Sequence, residues 1–263
     1  MKRRVTFCFI FCSLTILAHA QTRLRIIATV HNPTKYITQD SLIKVLEAFK
    51  PDIILMEWDT SLIDDKGNIK LTKQQMANSL EGQTAQFYIQ QHPQTAIRGF
   101  DIDYRNKFYK EHNTFSNEIK MGNLIDSMYK KNLLNDTTWF IVNALYSANQ
   151  ILNNFSHMKL KDINSALCMQ AASLRQTLLY KRETEIIHYN QYLKSWYSFA
   201  KENADFWELR NKIMTKNILK YIKMYPRKKI AVMVGFYHKY ALIDYLKPLS
   251  INKKFVLADY TDN

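Results

Sequence analysis

Glycine, proline and cysteine are all scarce in this chain of 263 residues, which contains five glycines, five prolines and three cysteines. The few glycines are far apart, so the sequence has no glycine-rich phosphate-binding loop, no dinucleotide-binding fingerprint and no serine nucleophile elbow. The absence of these motifs excludes the nucleotide-dependent enzymes and serine hydrolases that are built on them.

The first 20 residues have the pattern of a secretory signal peptide. Residues 2–4 are basic, residues 5–18 are uncharged, and Ala18-His19-Ala20 fits the small-residue signature at which signal peptidase cuts. The uncharged run is shorter than the roughly 20 apolar residues that a membrane-spanning helix requires. We therefore predict cleavage after Ala20, export to the periplasm or the extracellular space, and no stable membrane anchor.

The predicted cleavage removes Cys8 and Cys12 and leaves Cys168 as the sole cysteine of residues 21–263. An internal disulfide is then excluded for that segment, and its stability must come from packing. Cys168 lies in an apolar helical run, so we expect it to be buried and unreactive. The length of the segment suits a single domain.

The chain is strongly basic, with 37 lysines and arginines against 23 acidic residues and a formal net charge of +14. Basic proteins attract nucleic acid, anionic membrane surfaces or acidic ligands. The basic residues are spread along the sequence, apart from short groups such as residues 227–229, and the predicted export argues against nucleic acid. We therefore expect a solvated basic surface and no nucleic-acid partner.

Short and continuously apolar runs predict buried β-strands. The four clear runs and a weaker fifth one are Arg25–Val30, Asp52–Met56, Ala96–Phe100, Ile230–Val234 and Lys254–Ala258. Between the first two, residues 38–49 carry apolar side chains at helical spacing, with Thr38 or Asp40 as the N-cap. A strand, a helix and a second strand in so short a segment predict a right-handed crossover between parallel strands.

Residues 114–225 contain no proline and one glycine, a composition that favours helices. Two apolar stripes predict buried helix faces; they are Leu167, Ala171, Leu174 and Leu178, and Met214, Ile218, Tyr221 and Tyr225. Pro226 is expected to end the last helix. The predicted fold class is α/β, with a mainly parallel central sheet and a large helical insertion at about residues 114–225, and α+β packing is the alternative.

Polar side chains follow four of the predicted strands. His31 follows the first, Glu57 the second, Asp101 the third and His238 the fourth. Ligands of parallel α/β sheets bind outside the carboxyl ends of the strands, so we predict that these residues share one pocket. Each of them by itself is more often a helix cap or a hydrogen-bonded structural residue, and only their coincidence indicates a site.

Two imidazoles and two carboxylates permit two kinds of chemistry. They could bind a divalent metal ion and lower the pKa of its bound water, or a histidine oriented by Glu57 could act as a general base without metal. Mixed nitrogen and oxygen ligands without a thiolate suit Zn, Mn or Co and do not choose among them.

Arg210 lies one turn before Met214 on the second apolar stripe and should therefore point inward. Burial of an unpaired guanidinium is expensive, so a carboxylate partner is expected, either Glu57 or Asp101. The alternative is an arginine at the edge of the stripe whose charged head reaches water.

Together these motifs resemble the TraB, PrgY, GumN and Tiki superfamily, with erythromycin esterases and the haem-binding protein ChaN as more distant relatives. The matching stretches, in the expected order, are Ala28–His31, Pro51–Glu57, Gly99–Asp101, Arg210–Met214 and Gly235–His238. The chain departs from the pattern at Ala28, where the family has a glycine, and alanine does not freely adopt positive φ. Alanine is still small, so we expect an intact site.

The resemblance implies hydrolysis, because Tiki-like members are metal-dependent proteases and erythromycin esterase-like members open an ester with histidine and glutamate. We therefore predict an exported hydrolase that cleaves a peptide or ester bond of a peptide or small-molecule substrate, with His31, Glu57, His238 and Arg210 at its active site. A divalent metal ion would be held by His31, His238 and a carboxylate, with Glu57 before Asp101. The alternative, implied by ChaN, is an exported haem-binding protein without catalysis.

Overall fold

Five parallel strands form the central sheet of the computed structural model, which describes residues 21–64, 67–251 and 255–260. The predicted signal peptide therefore lies outside the described residues. The strands, in the spatial order β3-β2-β4-β1-β5, are β1 Thr22–Thr29, β2 Ile53–Asp59, β3 Ala96–Asp101, β4 Lys229–Gly235 and β5 Phe255–Ala258. All five predicted strands and the α/β class are confirmed.

Strand β4 occupies the centre of the sheet, although it is the fourth strand in the sequence. Met233 of β4 is in register with Ile27 of β1 on one side and with Met56 of β2 on the other. Strands β1 and β2 are parallel, as predicted, but they are not neighbours, because the chain returns after the helical insertion and places β4 between them. The segments that follow β1, β2 and β4 are therefore adjacent at one edge.

Alternate side chains of the strands belong to two separate hydrophobic clusters, one on each face of the sheet. In β4, Ala231 and Met233 lie in the first cluster, whereas Ile230, Val232 and Val234 lie in the second. All five are fully buried, which explains why the strand sequences are continuously apolar and do not alternate.

Eleven α-helices surround the sheet in the described part of the chain. Their bounds are α1 Gln39–Phe49, α2 Lys73–Met76, α3 Leu80–Gln91, α4 Arg105–Glu111, α5 Thr114–Lys130, α6 Asp136–Ser156, α7 Leu160–Ile163, α8 Ala166–Gln176, α9 Glu183–His188, α10 Tyr197–Met224 and α11 Phe236–Ile251. Short 3₁₀ helices cover Thr60–Leu62 and Gln191–Trp196, and a π-helical segment covers Thr177–Arg182. None of the described helices is both long and apolar enough to cross a membrane.

The helical insertion consists of α5 to α10, and its bounds agree with the prediction. Helix α10 buries Met214, Ile218 and Tyr221 against the second face of the sheet, as its stripe predicted, and it ends just before Pro226. This helix lies against β3 and so carries Arg210 to the carboxyl edge of the sheet.

The other predicted stripe is wrong in part. Leu167 and Leu174 are 63% and 50% exposed, although Ala171 and Leu178 are buried. Helix α8 instead turns Cys168 and Ala172 into the core, where the helix packs between α6 and α11. Small side chains allow this close approach, so the leucines that suggested the stripe remain on the solvent side. Cys168 is buried as predicted, and burial raises the pKa of its thiol to about 11.

Helix α1 shows how the sequence fixes a local boundary. Thr38 is its N-cap: the Thr38 side chain accepts a hydrogen bond from the Ser41 amide, and the Ser41 hydroxyl bonds back to the Thr38 amide. Asp40 lies in the first turn, where its negative charge interacts favourably with the helix dipole. Of the two predicted caps, Thr38 is therefore the correct one.

Candidate active site

One cleft of about 890 Å³ opens at the carboxyl edge of the sheet and is lined by His31, Glu57, Arg210 and His238. His31 follows β1, Glu57 lies near the end of β2, and His238 lies in the first turn of α11 directly after β4. The structure thus brings these four predicted site residues together. Asp101, the fifth, is fully buried behind the cleft.

Arg210 binds both carboxylates that the sequence offered as its partners. Its Nη2 atom lies 2.7 Å from Asp101 Oδ2 and 2.9 Å from Glu57 Oε1, and its Nε atom donates to Asp101 Oδ1 at 3.2 Å. Only 4% of the arginine side chain is exposed. The guanidinium therefore sits between two carboxylates inside the protein, where loss of one partner is costly.

Asp101 is saturated by its neighbours. In addition to Arg210, its carboxylate accepts hydrogen bonds from the Ile102 amide at 2.8 Å and from Arg105 Nη1 at 2.9 Å. A carboxylate has about four lone-pair sites, and all are used. Asp101 therefore binds two arginines, Arg105 and Arg210, and has no free lone pair for a metal ion. The prediction of Asp101 as an alternative metal ligand is not compatible with this geometry.

Glu57 is an ionised carboxylate at the floor of the cleft. Its Oε2 atom accepts a hydrogen bond of 2.8 Å from the Gly235 amide. Burial favours the neutral acid, but His238, Arg210, His31 and this amide together outweigh burial and lower the pKa of Glu57 to about 2. Gly235 leaves room for this contact, because a Cβ atom at that position would lie 3.3 Å from Glu57 Oε2, a tight approach, and 3.6 Å from His31 Nε2.

His238 is a buried and neutral ring. Its Nδ1 atom lies 2.7 Å from Asn211 Oδ1, and the Asn211 amide group donates to the Trp207 carbonyl, so Nδ1 carries the hydrogen. The ring stacks on Trp207 with centroids 4.0 Å apart. Burial lowers the pKa of His238 to about 3, and Arg210 contributes although Glu57 opposes the shift. His238 lines the cleft, and its unprotonated Nε2 lies 3.6 Å from Glu57 Oε1.

His31 differs in both exposure and charge. Its side chain is 65% exposed, and its Nδ1 atom lies 3.1 Å from Oε1 of the buried Glu81, which also accepts a hydrogen bond from Thr29. The bond to Glu81 raises the pKa of His31 above its ordinary value of 6.5. The His31 carbonyl accepts a hydrogen bond from the Leu80 amide, so the first turn of α3 fixes this loop.

Ala28, where the chain departs from the family pattern, does not disturb the site. It is fully buried in β1, and the described residues other than glycine that have positive φ are Lys50, Asn113, Asn132 and Arg227. The Ala28 amide donates to Asn164 Oδ1, and the Ala28 carbonyl accepts from Asn164 Nδ2. No left-handed backbone is needed at this position, so alanine is compatible with the loop that carries His31.

The donors fit a divalent metal ion by chemistry but do not form a closed ligand set. His31 and His238 each have Nδ1 hydrogen-bonded to an acceptor, the arrangement that directs an Nε2 lone pair toward a metal. Within the described residues, however, no group of three or more His, Cys, Asp or Glu side chains is placed to hold a metal ion. Glu57 Oε1 is already bound by Arg210. The metal ion therefore stays a prediction.

Three residues that hold the site together, Glu81, Asn211 and Arg105, were not predicted from the sequence. Glu81 resembles any acid in a first helical turn, here two residues after the N-cap Ser79, and nothing in its sequence context points to His31. Asn211 lies in the stretch Arg210–Met214 that carries the family resemblance, but the sequence gives it no role of its own. Arg105 follows Asp101 at the spacing of one helical turn, which could have suggested an ion pair.

Comparison with known proteins gives no match to a family model, a curated protein or a solved structure. The resemblance to the TraB and Tiki superfamily therefore rests on the motifs alone.

Proposed function

We propose that this protein is a hydrolase that cleaves an ester or amide bond in the cleft, with His31 as the general base. The observation that carries the proposal is the hydrogen bond from His31 Nδ1 to the buried Glu81, which leaves His31 Nε2 open beside Glu57. A base whose second ring nitrogen is held by a carboxylate has a fixed tautomer and orientation.

The reaction follows from this geometry. His31 Nε2 removes a proton from a water molecule as the water oxygen bonds to the carbonyl carbon of the substrate. The imidazolium is stabilised by Glu81 on one side and by the negative charge of Glu57 on the other. It then gives the proton to the departing alcohol or amine as the bond to the carbonyl carbon breaks, which restores neutral His31.

The buried residues serve as positioning groups in this scheme. Arg210 and Asp101 hold Glu57, and Asn211 holds His238 so that its Nε2 lone pair accepts a hydrogen bond from the attacking water. His238 stays neutral near pH 7, so it can accept but does not compete with His31 as a cation.

The predicted metal-dependent form uses the same residues. His31, His238 and Glu57 would hold a Zn, Mn or Co ion, which would lower the pKa of a bound water. Sensitivity to a chelator separates this form from the metal-free one. The haem-binding alternative is less well supported, because the cleft floor consists of ionised and hydrogen-bonded groups.

The test is hydrolysis of fluorogenic ester and peptide libraries by the purified protein and by His31→Ala. We expect the variant to lose activity by about 10²–10⁴-fold. His92→Ala is the matched control, because His92 also pairs with a glutamate, Glu47 at 2.7 Å, but lies outside the cleft, so it should retain full activity.

Each version of the proposal has its own outcome. Activity that survives a strong chelator supports the metal-free base, and activity that is lost and then restored by Zn, Mn or Co supports the metal-dependent form. Equal activity of His31→Ala and the wild-type protein would overturn the proposal. So would an absence of hydrolysis with every metal ion, and an absorption band on haem addition would then favour the binding protein.

A further inference from the structure

One wall of the cleft is formed by helix α4 and carries two positive charges. Arg105, Asn106, Tyr109 and Lys110 are spaced so that they share one face of this helix, and all four line the cleft. Neither cation was singled out by the sequence motifs. Both lie on the approach to His31 and Glu57, which line the same cleft.

Arg105 uses only part of its guanidinium within the protein. Its Nη1 atom donates to Asp101 at 2.9 Å and to the Glu57 carbonyl at 3.4 Å, and its Nε atom makes one long contact of 3.4 Å to Asn106. Among the described residues, Nη2 has no hydrogen-bond partner. Nη2 is therefore free to donate to a ligand, and Nε can exchange its long contact with the exposed Asn106 for the same ligand. A guanidinium edge of this kind binds a carboxylate with two parallel hydrogen bonds.

Arg105 Nη1 is paired with Asp101 at 2.9 Å and lies 3.7 Å from Glu57 Oε1, so the charge of this wall that no carboxylate neutralises is that of Lys110. Glu57 is the one acidic residue among the described lining residues, and it already binds Arg210 and the Gly235 amide. Lys110 has no ion pair with any residue that the structure describes.

Aromatic rings flank these cations. Tyr109 and Phe115 pack with ring centroids 5.3 Å apart, and Phe115 is 64% exposed. Trp58 and Tyr237 also line the cleft. A ligand that places an anionic group on Arg105 would therefore lay its neighbouring atoms on aromatic faces, which favour flat or bulky apolar groups.

We propose that Arg105 and Lys110 form a subsite for a carboxylate and that the cleft selects ligands in which the carboxylate is attached to an aromatic or bulky apolar group. The substrate class of the proposed hydrolase is then an ester or amide that carries such an acid. This consequence rests on the proposed function, but binding to the subsite does not, and it can be measured without turnover.

The probes are 3-phenylpropionate and its neutral analogue 3-phenylpropionamide, titrated into the purified protein by calorimetry. We expect the acid to bind at least about tenfold more tightly than the amide, because a hydrogen bond to a charged group is worth more than a neutral one. Added salt should weaken the binding of the acid and leave the binding of the amide nearly unchanged.

Lys110→Ala and Arg105→Lys should each lower the affinity for the acid by about five- to tenfold and leave the affinity for the amide unchanged. Arg105→Lys keeps a charge beside Asp101, and Lys110 is exposed, so neither change should unfold the protein. Lys107→Ala is the control, because Lys107 is on the same helix but pairs with Glu111 outside the cleft. It should have no effect on either probe.

Equal affinity for the acid and the amide, or binding of neither, would overturn the subsite. An equal loss of affinity in Lys107→Ala and Lys110→Ala would overturn it as well, because the effect would then be one of net charge. The two proposals fail separately: a strong preference for the acid without any hydrolysis would retain the subsite and reject the enzyme, and hydrolysis without the preference would do the reverse.

Discussion

The inner and outer parts of the cleft differ in how completely their polar groups are paired. In the inner part, Asp101, Glu57 and Arg210 are buried and bind one another, and His238 is held by Asn211. In the outer part, His31 and Arg105 are each anchored at one end and open to the cleft at the other. The charged groups of the inner part are paired without a ligand, whereas His31 and Arg105 in the outer part each keep a nitrogen that can hydrogen-bond to one.

The two histidines show the same contrast in one residue type. The hydrogen bond to Glu81 raises the pKa of His31 and outweighs the opposing effect of partial burial. Burial beside Trp207 and Arg210 disfavours the charged form of His238, so its pKa falls to about 3. Sequence position alone, directly after a strand, does not distinguish these two roles.

The largest expected loss of stability comes from removing the cation of the inner part. Arg210→Ala leaves Asp101 and Glu57 buried without their shared cation, and we expect the free energy of unfolding to fall by about 3–5 kcal/mol. Urea denaturation followed by circular dichroism measures this change. Lys220→Ala removes an exposed cation from the same helix and should have almost no effect. Similar losses in the two variants would contradict a buried ion cluster.

A smaller and pH-dependent effect is expected from Glu57→Gln, which should lower the free energy of unfolding by about 1–3 kcal/mol at neutral pH. The pKa of Glu57 is lowered from 4.5 to about 2, so its ionisation stabilises the folded state above pH 4.5. That stabilisation is lost as the pH falls from 4.5 toward 2. The stability difference between wild type and variant should therefore narrow over this range, and a constant difference would argue against an ionised Glu57.

The smallest expected loss of stability comes from a substitution that changes the outer part. Glu81→Gln removes the carboxylate that raises the pKa of His31, and the His31 side chain is 65% exposed although Glu81 is buried, so we expect the free energy of unfolding to fall by less than about 1 kcal/mol. Because the folded-state pKa of His31 is raised, its contribution is present below pH 6.5 and disappears as the pH rises through the higher value. Denaturation at pH 5.5 and pH 8 should show a larger difference at pH 5.5, and the opposite order would contradict the assignment.

The strands and their terminal residues could be predicted because they depend on local pattern. A strand buried on both faces is continuously apolar, and the residue that follows it lies at the sheet edge whatever the rest of the chain does. Arg210 could be placed for a similar reason, since its apolar neighbours at helical spacing turned it inward. Each of these signals lies within one short segment of the sequence.

The remaining features depend on contacts between distant segments. Glu81 meets His31 only because α3 packs beside the loop after β1, and Asn211 meets His238 across 27 residues. The central place of β4 depends on how the insertion returns to the sheet. The exposure of Leu167 depends on the small residues of α8 that face α6 and α11. No local pattern carries this information.

The claim that His31 is the proton acceptor and His238 a fixed neutral ring is tested most directly by NMR titration of the ring nitrogens in the wild-type protein and in Glu81→Gln. We expect His31 to titrate above pH 6.5 in the wild-type protein and to return toward 6.5 in the variant, and His238 to remain neutral, with Nδ1 protonated, down to the onset of acid unfolding. A His31 that titrates at or below 6.5 in both proteins, or a His238 that gains a proton near neutral pH, would contradict this claim.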